Sequence, residues 1–271
     1  MNILEKIVAQ KQKEVAEKKS LFPVKLLEQS IYFNTKTVSL KKYLLRQDRQ
    51  GIIAEIKRKS PSRGLINADV SIERTSIGYM QAGASALSVL TDKEFFGGSN
   101  EDLTTARKFN FCPILRKEFI IDEYQIVEAK SIGADAILLI AGVIPPAKLF
   151  SLSQFAHSLD LEVLMEVHDE EELKLNLHEF LDIVGVNNRN LKTFEVNVET
   201  SITLSSRIPD HFVKISESGI DNPETIVKLR GYGFKGFLMG EYFMKYNRPE
   251  KKCAEFIDAL KRLRLKEQPI I

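Results

Sequence analysis

The segment Gly83-Ala-Ser-Ala-Leu-Ser-Val-Leu90 recurs fifty residues later as Gly133-Ala-Asp-Ala-Ile-Leu-Leu-Ile140, and a looser copy, Gly233-Phe-Lys-Gly-Phe-Leu-Met239, follows after a further hundred. In each copy a glycine precedes a short apolar run. Glycine readily adopts the left-handed conformation that ends many helices, so each copy predicts a helix followed almost at once by a buried strand. The spacing indicates two and four repeats of one strand–helix unit.

The same alternation runs through the chain from residue 51 onward. Amphipathic segments such as 71–81, 124–131 and 223–230 separate apolar runs, and a last one spans 250–264. The apolar runs occupy residues 52–57, 86–90, 113–116, 135–140, 162–167, 182–186, 212–216 and 235–239. Strands that alternate with helices predict a parallel sheet, and eight such units predict an α/β fold of the (β/α)8 TIM barrel type. A doubly wound open sheet is the alternative, although no Gly-x-Gly-x-x-Gly fingerprint follows the first run.

A helical extension, residues 1–50, precedes the predicted barrel domain, residues 51–271. We expect an amphipathic helix over Asn2–Lys19, ended by Pro23, and a second short helix within 24–46. The extension either caps the N-terminal face of the barrel or folds over the rim of the opposite face.

The basic tract from Lys11 to Lys19 lies within the first predicted helix and is interrupted by Glu14 and Glu17. We interpret it as a solvated helix face.

Composition excludes several classes of protein. The 271 residues carry 39 Lys and Arg against 37 Asp and Glu, a balance that argues against a nucleic-acid partner. Cys112 and Cys253 form neither a disulfide framework nor a metal-binding pattern, so we expect no metal and a cytoplasmic location. The apolar runs are shorter than the about 20 residues that cross a bilayer, and the charged start is unlike a signal peptide, so no membrane partner is expected.

An acid and an amine lie in the first apolar run. Glu55 and Lys57 point to the same face of a strand, with Cα atoms about 6.5 Å apart. Such a pair on an inward face is costly to desolvate and often marks a site that handles protons or anions. A half-solvated antiparallel strand would show the same pattern. Pro61 then ends the strand between two hydroxyls, those of Ser60 and Ser62.

Polar residues also follow other predicted strands. They are Lys117 after strand 3, Glu166 in strand 5, and Asn187 with Arg189 after strand 6, and Phe119 shares the parity of Lys117. Each alone is typical of a surface charge or a loop cap. Because the C-terminal strand ends of a (β/α)8 barrel meet around one mouth, together they predict a shared site.

Glycines follow the last two strands, in Ser218-Gly219 and Gly240-Glu241. Loops 7 and 8 of such barrels often bind phosphate through backbone N–H groups, and Lys57 could add positive charge. The alternative is that both glycines only permit tight turns.

Three further side chains are harder to interpret. Phe96 and Phe119 are either core anchors or a cover over an aromatic substrate. His168 stands at a predicted helix start beside capping acids, so we set it aside as a site residue.

These segments together resemble indole-3-glycerol phosphate synthase. The matching stretches, in chain order, are Ile53-Ala-Glu-Ile-Lys-Arg-Lys-Ser-Pro-Ser-Arg-Gly64, Leu90-Thr-Asp-Lys-Glu-Phe-Phe-Gly-Gly-Ser99, Leu115-Arg-Lys-Glu-Phe-Ile-Ile-Asp122, Met165-Glu-Val-His168, Gly185-Val-Asn-Asn-Arg-Asn-Leu191 and Ser216-Glu-Ser-Gly-Ile220. Arg58-Lys59 is more basic, and Tyr242-Phe243 bulkier, than that family usually shows.

The resemblance implies the conversion of 1-(2-carboxyphenylamino)-1-deoxyribulose 5-phosphate, a small sugar phosphate, to indole-3-glycerol phosphate, carbon dioxide and water, without a cofactor. It implies Lys117 as general acid, Glu55, Lys57, Glu166 and Asn187 as further catalytic residues, and Ser60, Ser62, Phe96, Phe119, Arg189 and Ser218 as substrate-binding residues. Lys57, Ser218, Gly219, Gly240 and Glu241 are expected to hold the phosphate. We expect a monomer or a weak homo-oligomer.

Two other functions are compatible with a phosphate-binding barrel. Phosphoribosylanthranilate isomerase would use a Cys/Asp pair at strand ends, whereas Cys112 precedes strand 3 at the opposite end. A barrel without activity that senses a sugar phosphate would not need Glu55, Lys57, Lys117 and Glu166 together.

Overall fold

Eight parallel strands close into a barrel in the computed structural model, which describes residues 3–191 and 193–267. The strands are β1 (Ile52–Ile56), β2 (Ala86–Leu90), β3 (Ile114–Lys117), β4 (Ala136–Ile140), β5 (Glu162–Val167), β6 (Ile183–Asn187), β7 (Val213–Glu217) and β8 (Gly236–Met239). Each strand pairs with its neighbours in the chain, and β8 pairs with β1. This closure confirms the predicted (β/α)8 barrel and excludes the open doubly wound sheet.

Helices surround the barrel and precede it. Those in the described ranges are α1 (Ile3–Leu21), α2 (Val24–Leu27), α3 (Leu40–Leu44), α4 (Ile72–Ala82), α5 (Asn100–Phe109), α6 (Glu123–Ser131), α7 (Pro146–Ser158), α8 (Glu170–Asn176), α9 (Glu199–Ser205), α10 (Pro223–Gly231), α11 (Glu241–Met244) and α12 (Pro249–Glu267). None of them combines the length and apolar character that crossing a bilayer requires. Asn2, the expected start of the first helix, and residues 268–271 of the expected barrel domain lie outside the described residues.

The repeated glycines act as predicted. Gly83 follows α4 with φ +101°, and Gly133 follows α6 with φ +91°, both in the left-handed region. In each case the next strand begins three residues later, at Ala86 and Ala136. The glycine therefore turns the chain from the outer helix back into the barrel.

Two apolar layers alternate along each strand. In β1, Ile53 belongs to the interior of the barrel together with Leu164 and Ile215, whereas Ala54 and Ile56 pack in the layer between strands and helices. Burying each large apolar side chain contributes roughly 1.5–3 kcal/mol. This alternation fixes the direction of the polar residues, because a residue two positions after Ile53 must also point inward.

The N-terminal extension covers both ends of the barrel. At the C-terminal mouth, Ile3, Leu4 and Ile7 of α1 line the central cavity. At the opposite end, Leu40 and Leu44 of α3 join the interior cluster. The two positions considered from the sequence are thus occupied by different helices. The division into units 1–50 and 51–271 stays a prediction.

The interpretation of the basic tract as a solvated face is wrong at Lys11. Lys11 belongs to α1, and its side chain is buried. Its ammonium group lies 2.7 Å from Asp92 and 3.1 Å from Glu118. These carboxylates follow β2 and β3, 81 and 107 residues away in the chain. Burial of a lysine is tolerated here because carboxylates surround its charge.

Candidate active site

A cavity of about 530 Å³ opens at the C-terminal ends of the strands. Every residue that the sequence analysis selected for the site lines this cavity. These are Glu55, Lys57, Ser60, Ser62, Phe96, Lys117, Phe119, Glu166, Asn187, Arg189, Ser218, Gly219, Gly240 and Glu241. The barrel thus brings together residues that are up to 186 positions apart in the chain. Within the described ranges, no three His, Cys, Asp or Glu side chains are grouped as metal ligands.

Lys117 lies at the centre of the charges in this cavity. Its Nζ donates to Oε2 of Glu166 at 2.8 Å and to Oε2 of Glu217 at 2.6 Å. Burial alone would lower the pKa of Lys117, but the negative charges of Glu166, Glu217 and Glu55 outweigh it and hold the pKa above the usual value. Lys117 is therefore a protonated acid at the centre of the cavity.

Glu217 is a site residue that the sequence analysis missed. It is the last residue of β7 and shares its inward parity with Val213 and Ile215 of the interior cluster, so strand periodicity could have found it. Burial and the nearby charges of Glu166 and Glu55 raise the pKa of Glu217 to about 7, against the opposing effect of Lys117. Among the described residues, no donor reaches its Oε1. Such a carboxyl group can both carry and release a proton near neutral pH.

Glu166 is held by three side chains. Besides Lys117, Asn187 donates from Nδ2 to its Oε1 at 3.0 Å, and Nε2 of His168 lies 3.4 Å from the same oxygen. Burial alone would raise the pKa of Glu166, but Lys117 and His168 hold it well below the usual range. Glu166 is thus a fixed negative charge in the cavity wall.

His168 does not line the central cavity, but it contacts Glu166, which does. Its ring bridges Glu166 and Glu172, with Nδ1 3.1 Å from Oε2 of Glu172. Burial would lower the pKa of His168, but its contacts with these two carboxylates raise it to about 10. The sequence hid this contact because Asp169, the next residue, does cap α8.

Glu55 and Lys57 form a second ion pair, with Nζ of Lys57 2.8 Å from Oε1 of Glu55. Ser88 lies 3.4 Å from the other carboxylate oxygen. Gly240 leaves room for this carboxylate, because a Cβ at that position would lie 2.4 Å from Oε1 of Glu55. This acid–base pair faces the cavity on the side opposite Glu166, because β1 and β5 lie across the barrel from each other.

The loops after β7 and β8 form the glycine-rich end of the cavity. Ser218 and Gly219 have φ +66° and +75°, which turns the backbone sharply after β7. A Cβ on Gly219 would also meet Val196 at 2.5 Å. Gly240 precedes α11, and the side chain of Glu241 is neutralised by Arg63 at 2.9 Å and Arg189 at 3.1 Å. Two guanidinium groups therefore meet at this end, beside the glycine-containing loops.

Phe96 and Phe119 form an aromatic wall at the other side of the cavity, with ring centroids 5.9 Å apart. Both rings line the cavity and belong to the cluster that packs against Ile7. Of the residues that depart from the resembled family, Arg58 is paired with Asp102, Phe243 is buried, and Tyr242 lines the cavity.

Comparisons with known proteins agree with the family resemblance seen in the sequence. A family model described as indole-3-glycerol phosphate synthase matches residues 4–256. Indole-3-glycerol phosphate synthase of Bacteroides thetaiotaomicron is 46% identical over 96% of this chain and 99% of its own length, and that of Acinetobacter baylyi is 42% identical over 93% and 94%. A mutant tryptophan synthase alpha-subunit from Pyrococcus furiosus superposes with a TM-score of 0.59 at 15% identity, over 79% of this chain and 99% of that one, which shows a shared fold.

Proposed function

The chain belongs to the indole-3-glycerol phosphate synthase family, and from that premise we propose how its cavity performs the reaction. It is a carboxy-lyase of tryptophan biosynthesis that converts 1-(2-carboxyphenylamino)-1-deoxyribulose 5-phosphate to indole-3-glycerol phosphate, carbon dioxide and water. The single observation that carries the mechanism is the position of Lys117 between Glu166 and Glu217 inside the cavity.

Lys117 acts as the general acid of ring closure. The aryl carbon that bears the carboxylate attacks the ribulose carbonyl carbon, and the carbonyl oxygen takes a proton from the Lys117 ammonium group. Loss of the carboxylate as carbon dioxide returns the bonding electrons to the ring. The fixed charge of Glu166 stabilises the cationic intermediate between these steps. Asn187, which donates to Glu166, keeps that carboxylate in place.

Dehydration falls to the ion pair of Glu55 and Lys57. Lys57 donates a proton to the departing hydroxyl group, which leaves as water, and Glu55 accepts the proton that is lost from the new ring. Because the two groups are 2.8 Å apart, the proton can return from Glu55 to Lys57 and reset the pair. This step therefore neither consumes nor releases a proton.

The ring-closure step does consume one proton, because the departing carboxylate leaves as neutral carbon dioxide. Lys117 must regain that proton from solvent before the next turnover. Glu217 touches Lys117 at 2.6 Å and has its pKa raised to about 7, so its protonated form can deliver the proton. Glu217, which was not among the predicted residues, therefore has the role of returning a proton to Lys117, here called the reloading role.

The substrate spans the cavity from the aromatic wall to the glycine-rich end. Its aryl ring lies against Phe96 and Phe119, and Ser60 and Ser62 line the path of the sugar. The phosphate is held by backbone N–H groups of Ser218, Gly219, Gly240 and Glu241. Arg189, and Lys57 beside β1, supply positive charge at this end.

The test of this function uses the purified chain and the carboxyphenylamino substrate, with indole fluorescence as the readout. The chain contains no tryptophan, so no tryptophan emission of the protein overlaps with that of the indole product. Steady formation of indole-3-glycerol phosphate is expected. Turnover of phosphoribosylanthranilate instead would favour the isomerase, and binding without turnover would favour a sensor.

The setting of the enzyme is part of the same proposal. We place it in the cytoplasm, because its two cysteines are free and buried. A nearly balanced charge argues against a nucleic-acid partner. We propose that it is a monomer or a weak homo-oligomer. Light scattering after size-exclusion chromatography at micromolar concentration tests the oligomeric state.

A further inference from the structure

Lys11 is a buried lysine that the mechanism above does not use. It lies on the core-facing side of α1, between Ile7 and Val15, which are one turn away on either side and also buried. Its ammonium group contacts Asp92 at 2.7 Å, Glu118 at 3.1 Å and Glu14 at 2.7 Å. A charge on the apolar face of a helix needs a reason, because desolvating it is costly.

Each of the two distant carboxylates holds one ring of the aromatic wall. Oδ1 of Asp92 accepts from the backbone N–H groups of Phe95 and Phe96, at 2.6 and 3.0 Å, while Oδ2 faces Lys11. The same oxygen of Glu118 that contacts Lys11, Oε1, accepts from the backbone N–H of Phe119 at 2.8 Å. Lys11 is thus one residue removed from both rings.

The first turns of α1 meet the same wall. Ile3, Leu4 and Ile7 line the cavity beside Phe96 and Phe119. The ammonium group of Lys11 therefore ties together three parts of the rim, namely α1 and the loops after β2 and β3. Without this cation, Asp92 and Glu118 would face each other as like charges, and the loops that carry the rings would separate.

We propose that Lys11 is a positioning residue that fixes Phe96 and Phe119 as the binding wall for the aryl half of the substrate. The inference rests on the proposed function in one respect, that anthranilate is the aryl half of that substrate. Lys11 does not touch the substrate and takes no part in proton transfer. It acts by holding the separation of the two rings and the position of α1 above them.

Lys18 offers a matched control on the same helix. Its ammonium group ties α1 to the barrel through Glu128 at 2.8 Å, on α6 and away from the aromatic wall. Lys11→Met removes two ion pairs between α1 and the barrel, and Lys18→Met removes one. Only the first should alter the wall.

Binding of the two halves of the substrate is measured separately. Anthranilate binding is followed by the change in its own fluorescence, with which no tryptophan emission of the chain overlaps, and inorganic phosphate binding is followed by phosphorus NMR. Lys11→Met should weaken anthranilate binding about tenfold, as expected for the loss of about one aromatic contact. Phosphate binding should change less than twofold, and Lys18→Met should change neither.

Several results would overturn the inference. The first is that the wild-type protein does not bind anthranilate. The second is that Lys11→Met binds anthranilate within twofold of wild type. The third is that Lys11→Met loses phosphate binding as much as anthranilate binding. If Lys11→Met does not fold, Asp92→Asn decides by the same criteria with an expected loss of at least about threefold, since it keeps the acceptor for Phe95 and Phe96 but removes the charge facing Lys11. Failure of the proposed function is recognised separately, by the absence of indole formation in the wild-type enzyme.

Discussion

Nζ of Lys117 lies 2.6 Å from Oε2 of Glu217, although β3 and β7, which carry these residues, stand on opposite sides of the barrel. Glu166 contacts the same ammonium group from β5, so three charged side chains lie side by side across the mouth of the barrel. Two carboxylates therefore compete for one cation. Their environments separate them: Glu166 stays ionised, whereas the pKa of Glu217 rises to about 7.

Glu217→Gln should lower kcat by about 10- to 100-fold, because Lys117 then loses its source of protons. Reloading requires protonated Glu217, so kcat of the wild-type enzyme should fall above pH 7, and this dependence should be absent in the variant. The measurement is kcat against pH from 5.5 to 9. An unchanged pH profile in Glu217→Gln would contradict the reloading role.

The same substitution should make the folded protein more stable at alkaline pH. A carboxyl group whose pKa is raised on folding binds protons more tightly when folded, so the wild-type protein loses stability as pH rises from about 4.5 to 7. Glutamine does not titrate. The difference in Tm should be small near pH 4.5 and reach a few degrees at pH 8, at about 2–4 °C for each kcal/mol.

Lys117→Ala and Glu166→Ala should each reduce turnover by about 10²-fold or more, because one removes the acid and the other its fixed counter-charge. Steady-state indole formation measures both. Lys174→Ala is a suitable control, because it removes a solvent-exposed ion pair with Glu170 and should leave turnover unchanged. Near-normal turnover in both active-site variants would refute the assignment.

The sequence predicts the fold because the causes of the fold are local. Apolar runs long enough for strands alternate with amphipathic segments, and glycines such as Gly83 and Gly133 end helices where the left-handed conformation is needed. Polar residues at strand ends, such as Lys117 and Glu166, then follow from the parallel arrangement of the strands.

The contacts that the sequence did not predict are those made over long separations. Lys11 lies in a Lys- and Glu-rich helix, four residues from both Ile7 and Val15, and its partners Asp92 and Glu118 stand in loops that only the closed barrel brings near. His168 stands beside a helix cap, which explains its surroundings without reference to Glu166. Glu217 could have been predicted, because the alternation along β7 places it on the same inward face as Val213 and Ile215.

His168→Asn should destabilise the protein in a pH-dependent way. The pKa of His168 is raised from 6.5 to about 10 on folding, so its stabilising effect is fully present below pH 6.5 and is lost as pH rises through 10. Urea unfolding should show the largest difference from wild type at pH 6 and a smaller one at pH 9. Glu172→Gln removes one of the two carboxylates and should lower the pKa of His168 in an NMR titration; an unshifted titration would contradict the bridge.

Gly240→Ala should impair catalysis while leaving the fold intact. The new Cβ would lie 2.4 Å from Oε1 of Glu55, so the carboxylate must swing away from Lys57, and the pair that performs dehydration is broken. We expect kcat to fall by about 10- to 100-fold, with Tm changed by no more than a few degrees. Gly231→Ala is the matched control, since nothing lies within 4 Å of its added Cβ, and its turnover should equal that of wild type. Wild-type turnover in Gly240→Ala would show that Glu55 does its work from another position, and the proposed dehydration step would then be wrong.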